Sequence, residues 1–169
     1  MKGQSEILVF VLLFLLSIAL FITAIFWSRG IVQNSVDIAR VSSAERTARN
    51  IDSAIKNVIL FDGYEEVDYG VEGPITLLND NTLEIRAAIS SEMSLPRTWS
   101  NISVDSSVIR EVQEADIFRI QIWYPQGDNR IELFTDSSTL AKPSAVRVEK
   151  NETLIENGRQ TIKIRITFV

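Results

Sequence analysis

The chain has 169 residues, 46% of them hydrophobic, with 17 basic and 22 acidic side chains for a net charge of −5, and neither cysteine nor histidine. Without histidine it lacks the commonest general base and transition-metal ligand, and without cysteine it has no disulfide and no thiolate chemistry. The acidic balance argues against a nucleic-acid surface, and neither a cofactor nor a metal is expected.

Lys2 and Glu6 are the only charges before Arg29. Between them and Arg29, Ile7 to Trp27 is uncharged, interrupted only by Ser17 and Thr23. At ~1.5 Å per helical residue this run spans about 30 Å, the thickness of a bilayer's hydrocarbon core. A cleaved secretory signal fits poorly, because its apolar region is typically ~7–15 residues long and ends in a small-residue cleavage site. Lys2 would hold the N-terminus on the cytoplasmic side and so place the rest outside. Trp27 reads either as an interfacial anchor or as a ring packed between neighbouring helices.

From Ser28 to Leu60 there is no proline and one glycine, Gly30. Ile31, Ile38, Val41, Ala44, Ala48, Ile51, Ile55 and Val58 recur at spacings of three and four, the pattern of a single apolar helical stripe. Arg29, Asp37, Arg40, Glu45, Arg46, Arg49, Asp52 and Lys56 are expected on the opposite face, with Glu45–Arg49 and Asp52–Lys56 as i,i+4 pairs. The spacing predicts one helix from about Gln4 to Leu60, ~85 Å long, stopped by Phe61-Asp62-Gly63.

Past Tyr64 the apolar period changes to two. Strands are expected over 82–87, 117–124, 130–134, 145–149 and 160–168, with Ile75 to Leu78 as a further one. Asn79-Asp80-Asn81, Gln126-Gly127-Asp128-Asn129 and Glu156-Asn157-Gly158-Arg159 supply turn signals. Residues 64–73 read as a connector, and Glu65, Glu66 and Asp68 within it as a solvated acidic loop without calcium-site spacing. Trp99 to Val104 reads as a short strand and Ser106 to Glu114 as a loop or short helix. The last strand, with Ile162, Ile164, Ile166 and Phe168 on one face, is expected either at the centre of the core or against the exposed half of the helix. Asn101-Ile102-Ser103 and Asn151-Glu152-Thr153 match the N-glycosylation acceptor pattern, although a pattern this loose also arises by chance. No phosphate loop, dinucleotide fingerprint or nucleophile elbow is present, so the chain is not expected to be an enzyme.

Lys2-Gly3-Gln4-Ser5-Glu6, followed directly by the long apolar segment, resembles the class III signal peptide of archaeal type IV pilins and related pilin-like proteins. The resemblance implies cleavage between Gly3 and Gln4 by a prepilin peptidase, with the apolar segment retained. It also implies a role for Glu6 in pairing with a neighbouring subunit's new amino group. The alternative is a carboxylate solvated among lipid headgroups. Here Gln4, Ser5 and Glu6 are adjacent, so Glu6 would be third in the mature chain, where the family often places this glutamate fifth.

The expected fold is α+β: a lollipop with a long N-terminal helix, apolar then amphipathic, and a C-terminal antiparallel β-sandwich-like head. The expected divisions are a leader at 1–3, the helix at 4–62, a connector at 63–73 and the head at 74–169. The resemblance implies a structural subunit, major or minor, of a type IV pilus-like surface filament. Its partners would be copies of itself, the prepilin peptidase, a membrane assembly platform and, before assembly, the membrane. Its location would be the cell membrane and then the extracellular surface, where the heads serve adhesion. The alternative is a permanently anchored extracytoplasmic β-sandwich, such as a stator-like component of the archaeal motility apparatus.

Overall fold

The computed structural model describes residues 2–169 except 79, 80, 91, 92, 94, 126–128, 138, 157 and 158, and excludes the side chains of 2–6, 129 and 156. The turn signals at Asn79-Asp80, Gln126-Gly127-Asp128 and Asn157-Gly158 lie outside the described residues. One helix, α1, runs from Lys2 to Phe61. It ends at the expected signal: Asp62 and Gly63 take positive φ values of 57° and 91°, and the Asp62 N–H donates to the Val58 carbonyl at 3.1 Å. Those two residues close the final turn and redirect the chain. The chain divides into two compact units, Met1–Val36 and Asp37–Val169.

The first unit is helix alone. The second contains the remainder of α1 and ten strands: β1 (Tyr64–Asp68), β2 (Ile75–Leu78), β3 (Thr82–Ala88), β4 (Ser100–Val104), β5 (Val108–Glu114), β6 (Ile117–Trp123), β7 (Asn129–Phe134), β8 (Thr139–Leu140), β9 (Ala145–Glu156) and β10 (Arg159–Phe168). They form a four-stranded sheet ordered β1-β9-β10-β7 and a six-stranded sheet ordered β4-β5-β6-β3-β2-β8. The α+β architecture is therefore present.

Three expectations need correction. The sheets are not wholly antiparallel, because β7 runs parallel to β10. A parallel neighbour needs a crossover of a dozen or more residues, which residues 135–158 supply. The segment 106–114 is neither loop nor helix at its core, since Val108–Glu114 is strand β5, paired with β4 and β6. Adjacent Arg110 and Glu111, and a turn at Ala115-Asp116 with no glycine or asparagine, hid its alternation. The acidic connector is strand β1, which pairs with β9 from Tyr64↔Glu149 to Asp68↔Ala145, and Glu66 meets Arg147 at 2.9 Å.

One apolar cluster unites the second unit. Val41, Ala44, Ala48, Ile51, Ile55 and Val58 of α1 join Leu83, Ile85, Phe118, Ile120 and Ile122 of the larger sheet and Val146, Val148, Ile162, Ile164 and Ile166 of the smaller. The expected stripe is thus buried from Val41 onward, whereas Ile31 and Ile38 remain 48% and 52% exposed. The last strand lies inside its sheet, between β9 and β7. Gly73 is required at the entry to β2, because a Cβ there would lie 1.9 Å from the Arg86 carbonyl oxygen.

Two acids assigned to the polar face, Asp37 and Asp52, are buried instead, at 1% and 6% exposure. Burial is tolerable because each is satisfied. Asp37 accepts from the Ser90 N–H at 2.8 Å and pairs with Arg40 at 3.7 Å. Asp52 accepts from the Tyr124 hydroxyl at 2.6 Å and pairs with Lys56 at 2.9 Å. Burial, reinforced by the Asp52 charge, pushes the Tyr124 hydroxyl well above its usual titration range, so Tyr124 acts as a permanent donor. The Glu45–Arg49 pair does not close to ion-pair distance. Tyr124→Phe keeps the ring and removes the donor to a charged acceptor. It should cost about 1.5–3 kcal/mol of unfolding free energy, read as a lowered denaturant midpoint for the detergent-solubilised chain. An unmoved midpoint would show that the contact does not hold helix to sheet.

Candidate functional site

The most distinctive surface of the molecule is the side of α1 that its own chain leaves bare. Every residue from Ile7 to Val36 is exposed, and the large apolar side chains of Ile7 to Trp27 range from 39% exposed at Ile25 to 74% at Trp27. The most apolar stretch of this helix has a mean hydropathy of 3.1, with none of it buried. By length and composition it can cross a membrane; a signal sequence near the N-terminus passes the same test.

The polar interruptions do not spoil that surface. The Ser17 hydroxyl donates to the Leu13 carbonyl and the Thr23 hydroxyl to the Ala19 carbonyl, each at 2.9 Å. Ser35 does the same to Ile31 at 2.9 Å. Folding these three hydroxyls back onto the preceding turn satisfies their donors within the helix, which is what an apolar environment demands. The chemistry open to this surface is burial, either in acyl chains or among other apolar helices.

Of the residues singled out above, Gly3 and Gln4 lie in the first turns of α1. Their side-chain positions and that of Glu6 are outside the described residues. Trp27 ends the uncharged run with its ring in the open. Asn101 is exposed on β4 and Asn151 is exposed on β9. Gly3, Gln4 and Trp27 belong to the Met1–Val36 unit, and Asn101 and Asn151 to the Asp37–Val169 unit.

The polar cluster that sequence did not reveal lies on β3 and β6. Glu84 has no accessible surface, and the register places it opposite Gln121, with Arg86 opposite Arg119. Its carboxylate accepts from Arg86 Nε at 2.6 Å, Arg119 at 2.6 Å and 3.2 Å, and Gln121 Nε2 at 2.6 Å. Burial pushes this carboxyl upward, but the hydrogen bonds from Arg119, Gln121 and Arg86 outweigh it and leave it below its ordinary value of 4.5. Both oxygens are occupied, so the cluster offers no open position to a substrate and works as a structural clasp. Nearby, Arg110 lies 4.8 Å from the centre of the Trp99 ring and Arg119 lies 5.7 Å from it. Among the described residues no group of three or more acidic, histidine or cysteine side chains gathers to hold a metal ion. Period-two alternation hints at Glu84, because a glutamate flanked by Leu83 and Ile85 must face the other side of the sheet; its burial had no signal.

Because the Glu84 carboxyl titrates lower when folded than when unfolded, its stabilisation is complete above about pH 4.5 and is lost as pH falls through the folded-state value. Glu84→Gln should lower stability at neutral pH by roughly 2–3 kcal/mol and flatten the acid limb of the stability–pH profile; a mutant with the parental acid limb would reassign it. Comparison with known proteins adds no relative: no family model, no curated protein and no solved structure matches the chain.

Proposed function

We propose that the chain is a pilin-type structural subunit of an archaeal type IV pilus-like surface filament, assembled through α1. The observation that carries this is the length of the bare apolar surface. Beyond the uncharged run, Ile31, Val32, Val36 and Ile38 are 48%, 58%, 40% and 52% exposed. From Ile7 to Ile38 the helix rises about 48 Å, against ~30 Å of hydrocarbon in a bilayer. A bilayer hides the first two thirds of that length and leaves the rest in water. A bundle of identical helices hides all of it.

Extraction from lipid into such a bundle need not be uphill. Apolar area hidden by neighbouring helices at about 25 cal/mol per Å² replaces area hidden by acyl chains. In this reading the Lys2-Gly3-Gln4-Ser5-Glu6 segment is the processing signal, cut by a prepilin peptidase after Gly3. Glu6 and Trp27 then contribute to assembly at the two ends of the apolar run. The chain resides in the membrane first and at the cell surface afterward, with the heads outward for adhesion or contact.

Sequencing the mature N-terminus distinguishes this from a permanent anchor. A chain beginning at Gln4 is expected. Replacing Gly3 with a bulky residue such as valine should leave the leader attached and abolish surface filaments while the chain accumulates in the membrane. A mature chain that keeps Met1, with function indifferent to the Gly3 substitution, would establish the anchored alternative.

A further inference from the structure

The two acceptor patterns for N-glycosylation share a structural setting that neither the sequence nor the filament reading requires. On β4, the pairing with β5 steps from Asn101↔Arg110 to Ser103↔Ile109, so Ile102 is the extra residue of a β-bulge. On β9, the pairing with β10 steps from Ile164↔Lys150 to Lys163↔Glu152, so Asn151 is itself the extra residue. Both acceptor triplets therefore coincide with a bulge. Both also lie where the ladder is open on one side. Strand β4 ends the six-stranded sheet, and β9, whose last partner on β1 is Tyr64 opposite Glu149, keeps one more outer bond, from the Lys150 N–H to the Gly63 carbonyl at 3.2 Å, just before Asn151.

The two asparagines are exposed, and among the described residues neither their amides nor the hydroxyls of Ser103 and Thr153 have a side-chain hydrogen-bond partner. A bulge frees the local backbone from the ladder and turns the side chain out of it. That gives a transferase access to the amide and to the hydroxyl two residues on.

The other sheet edges show why modification would matter here. An open edge is a template for pairing with another chain, and proteins blunt such edges with charge, shortness or a covering group. Strand β1 carries Glu65, Glu66 and Asp68. The edge of β7 is occupied by Asn81, whose Nδ2 donates to the Ile131 carbonyl at 2.8 Å while its Oδ1 accepts from the Leu133 N–H at 3.1 Å. Strand β8 has two residues. By contrast β4, Ser100 to Val104, has no charge at all. On the outer part of β9, Glu152 is neutralised by Lys163 at 2.6 Å, and Ile155 is 76% exposed.

We infer that Asn101 and Asn151 both carry N-linked glycans, and that these glycans guard the two open sheet edges against pairing with other copies of the chain. In the transfer, the asparagine Nδ2 bonds to the anomeric carbon of a polyisoprenyl-phosphate-linked oligosaccharide. The bond from that carbon to the phosphate oxygen breaks, the lipid phosphate leaves with the electron pair, and the nitrogen gives up one proton. The inference rests on the proposed location of the Asp37–Val169 unit outside the cell.

The test begins with the chain isolated from the cells that make it. Mass spectrometry of the peptides containing Asn101 and Asn151 should find added glycan mass on both. Ser103→Ala and Thr153→Ala should remove that mass while keeping each asparagine, and Asn101→Gln with Asn151→Gln provides a second route should the first pair fold poorly. The full chain stripped at both sites, in the same detergent as the native chain and with unchanged circular dichroism, should self-associate at an at least about tenfold lower concentration. Protease digestion of intact cells separates the two levels of inference. A unit digested from outside with either asparagine bare, or a stripped chain no more prone to associate, overturns the glycan guard and leaves the filament reading standing. A unit protected from protease on intact cells overturns both.

Discussion

Apolar surface without a partner is the constraint on which everything else in this protein depends. Fully burying one large apolar side chain is worth about 1.5–3 kcal/mol, and α1 leaves exposed an unbroken series of such side chains from Ile7 to Leu16, with more as far as Ile38. The sum is on the order of tens of kcal/mol, against the ~5–15 kcal/mol that separates a typical folded domain from its unfolded chain. Environment, and not intrachain packing, therefore decides the state of this segment. The helix is suited to that dependence. Its backbone bonds are internal, its hydroxyls at Ser17 and Thr23 are turned back onto carbonyls one turn earlier, and no charge interrupts the run from Ile7 to Trp27.

In the second unit the same element meets the opposite demand, because from Val41 onward it must present one defined face to the strands. Apolar contact alone specifies that face loosely, since alanine and isoleucine can slide along a sheet at little cost. Buried acids sharpen it. Asp37 reaches the Ser90 N–H and Asp52 reaches the Tyr124 hydroxyl, two contacts separated by about four helical turns. Rotation or slippage of the helix would part each buried carboxylate from its donor outside the helix, at a cost of about 1–3 kcal/mol each. The Glu84 clasp has the same logic within the sheet, joining β3 to β6 through a carboxylate that has no water to fall back on.

Features fixed by local pattern were legible before the structure, and those fixed by tertiary partnership were not. The helix follows from its apolar spacing and ends at Asp62-Gly63 because only a left-handed turn could follow. Strands β3, β6, β7 and β10 follow from alternation. Strand β5 escaped notice because Glu111 and Gln113 share the face of Ile109, putting polar residues where the period calls for apolar ones. The β1 acids read as loop because a short edge strand needs charge for reasons unrelated to propensity. Asp37 and Asp52 were assigned to solvent because charge is the best single predictor of exposure, and their donors lie 53 and 72 residues away in sequence. The parallel β7–β10 pair depends on how β8 and β9 are routed, which no local signal encodes. At the bare helix, by contrast, composition alone located the surface, where every residue from Ile7 to Val36 is exposed.

In the proposed filament, a subunit that assembles through α1 must also fail to assemble through its other surfaces. Heterologous contacts that do not close upon themselves propagate without limit, and a second adhesive surface would turn an ordered filament into a branched aggregate. Helical burial is tolerant of rotation and forms early; strand addition is directional and hard to reverse. Competition between them is decided by how available the sheet edges are while the helices find one another. The acidic β1, the Asn81 cap on β7 and the two-residue β8 reduce that availability at three edges. The bulges on β4 and β9 reduce it partially at the other two, by interrupting the ladder a second chain would have to match. In the proposed filament, polymerisation through α1 would favour a head whose sheet edges are blunted, and the charge on β1, the Asn81 cap on β7 and the bulges on β4 and β9 are features that such a requirement would favour.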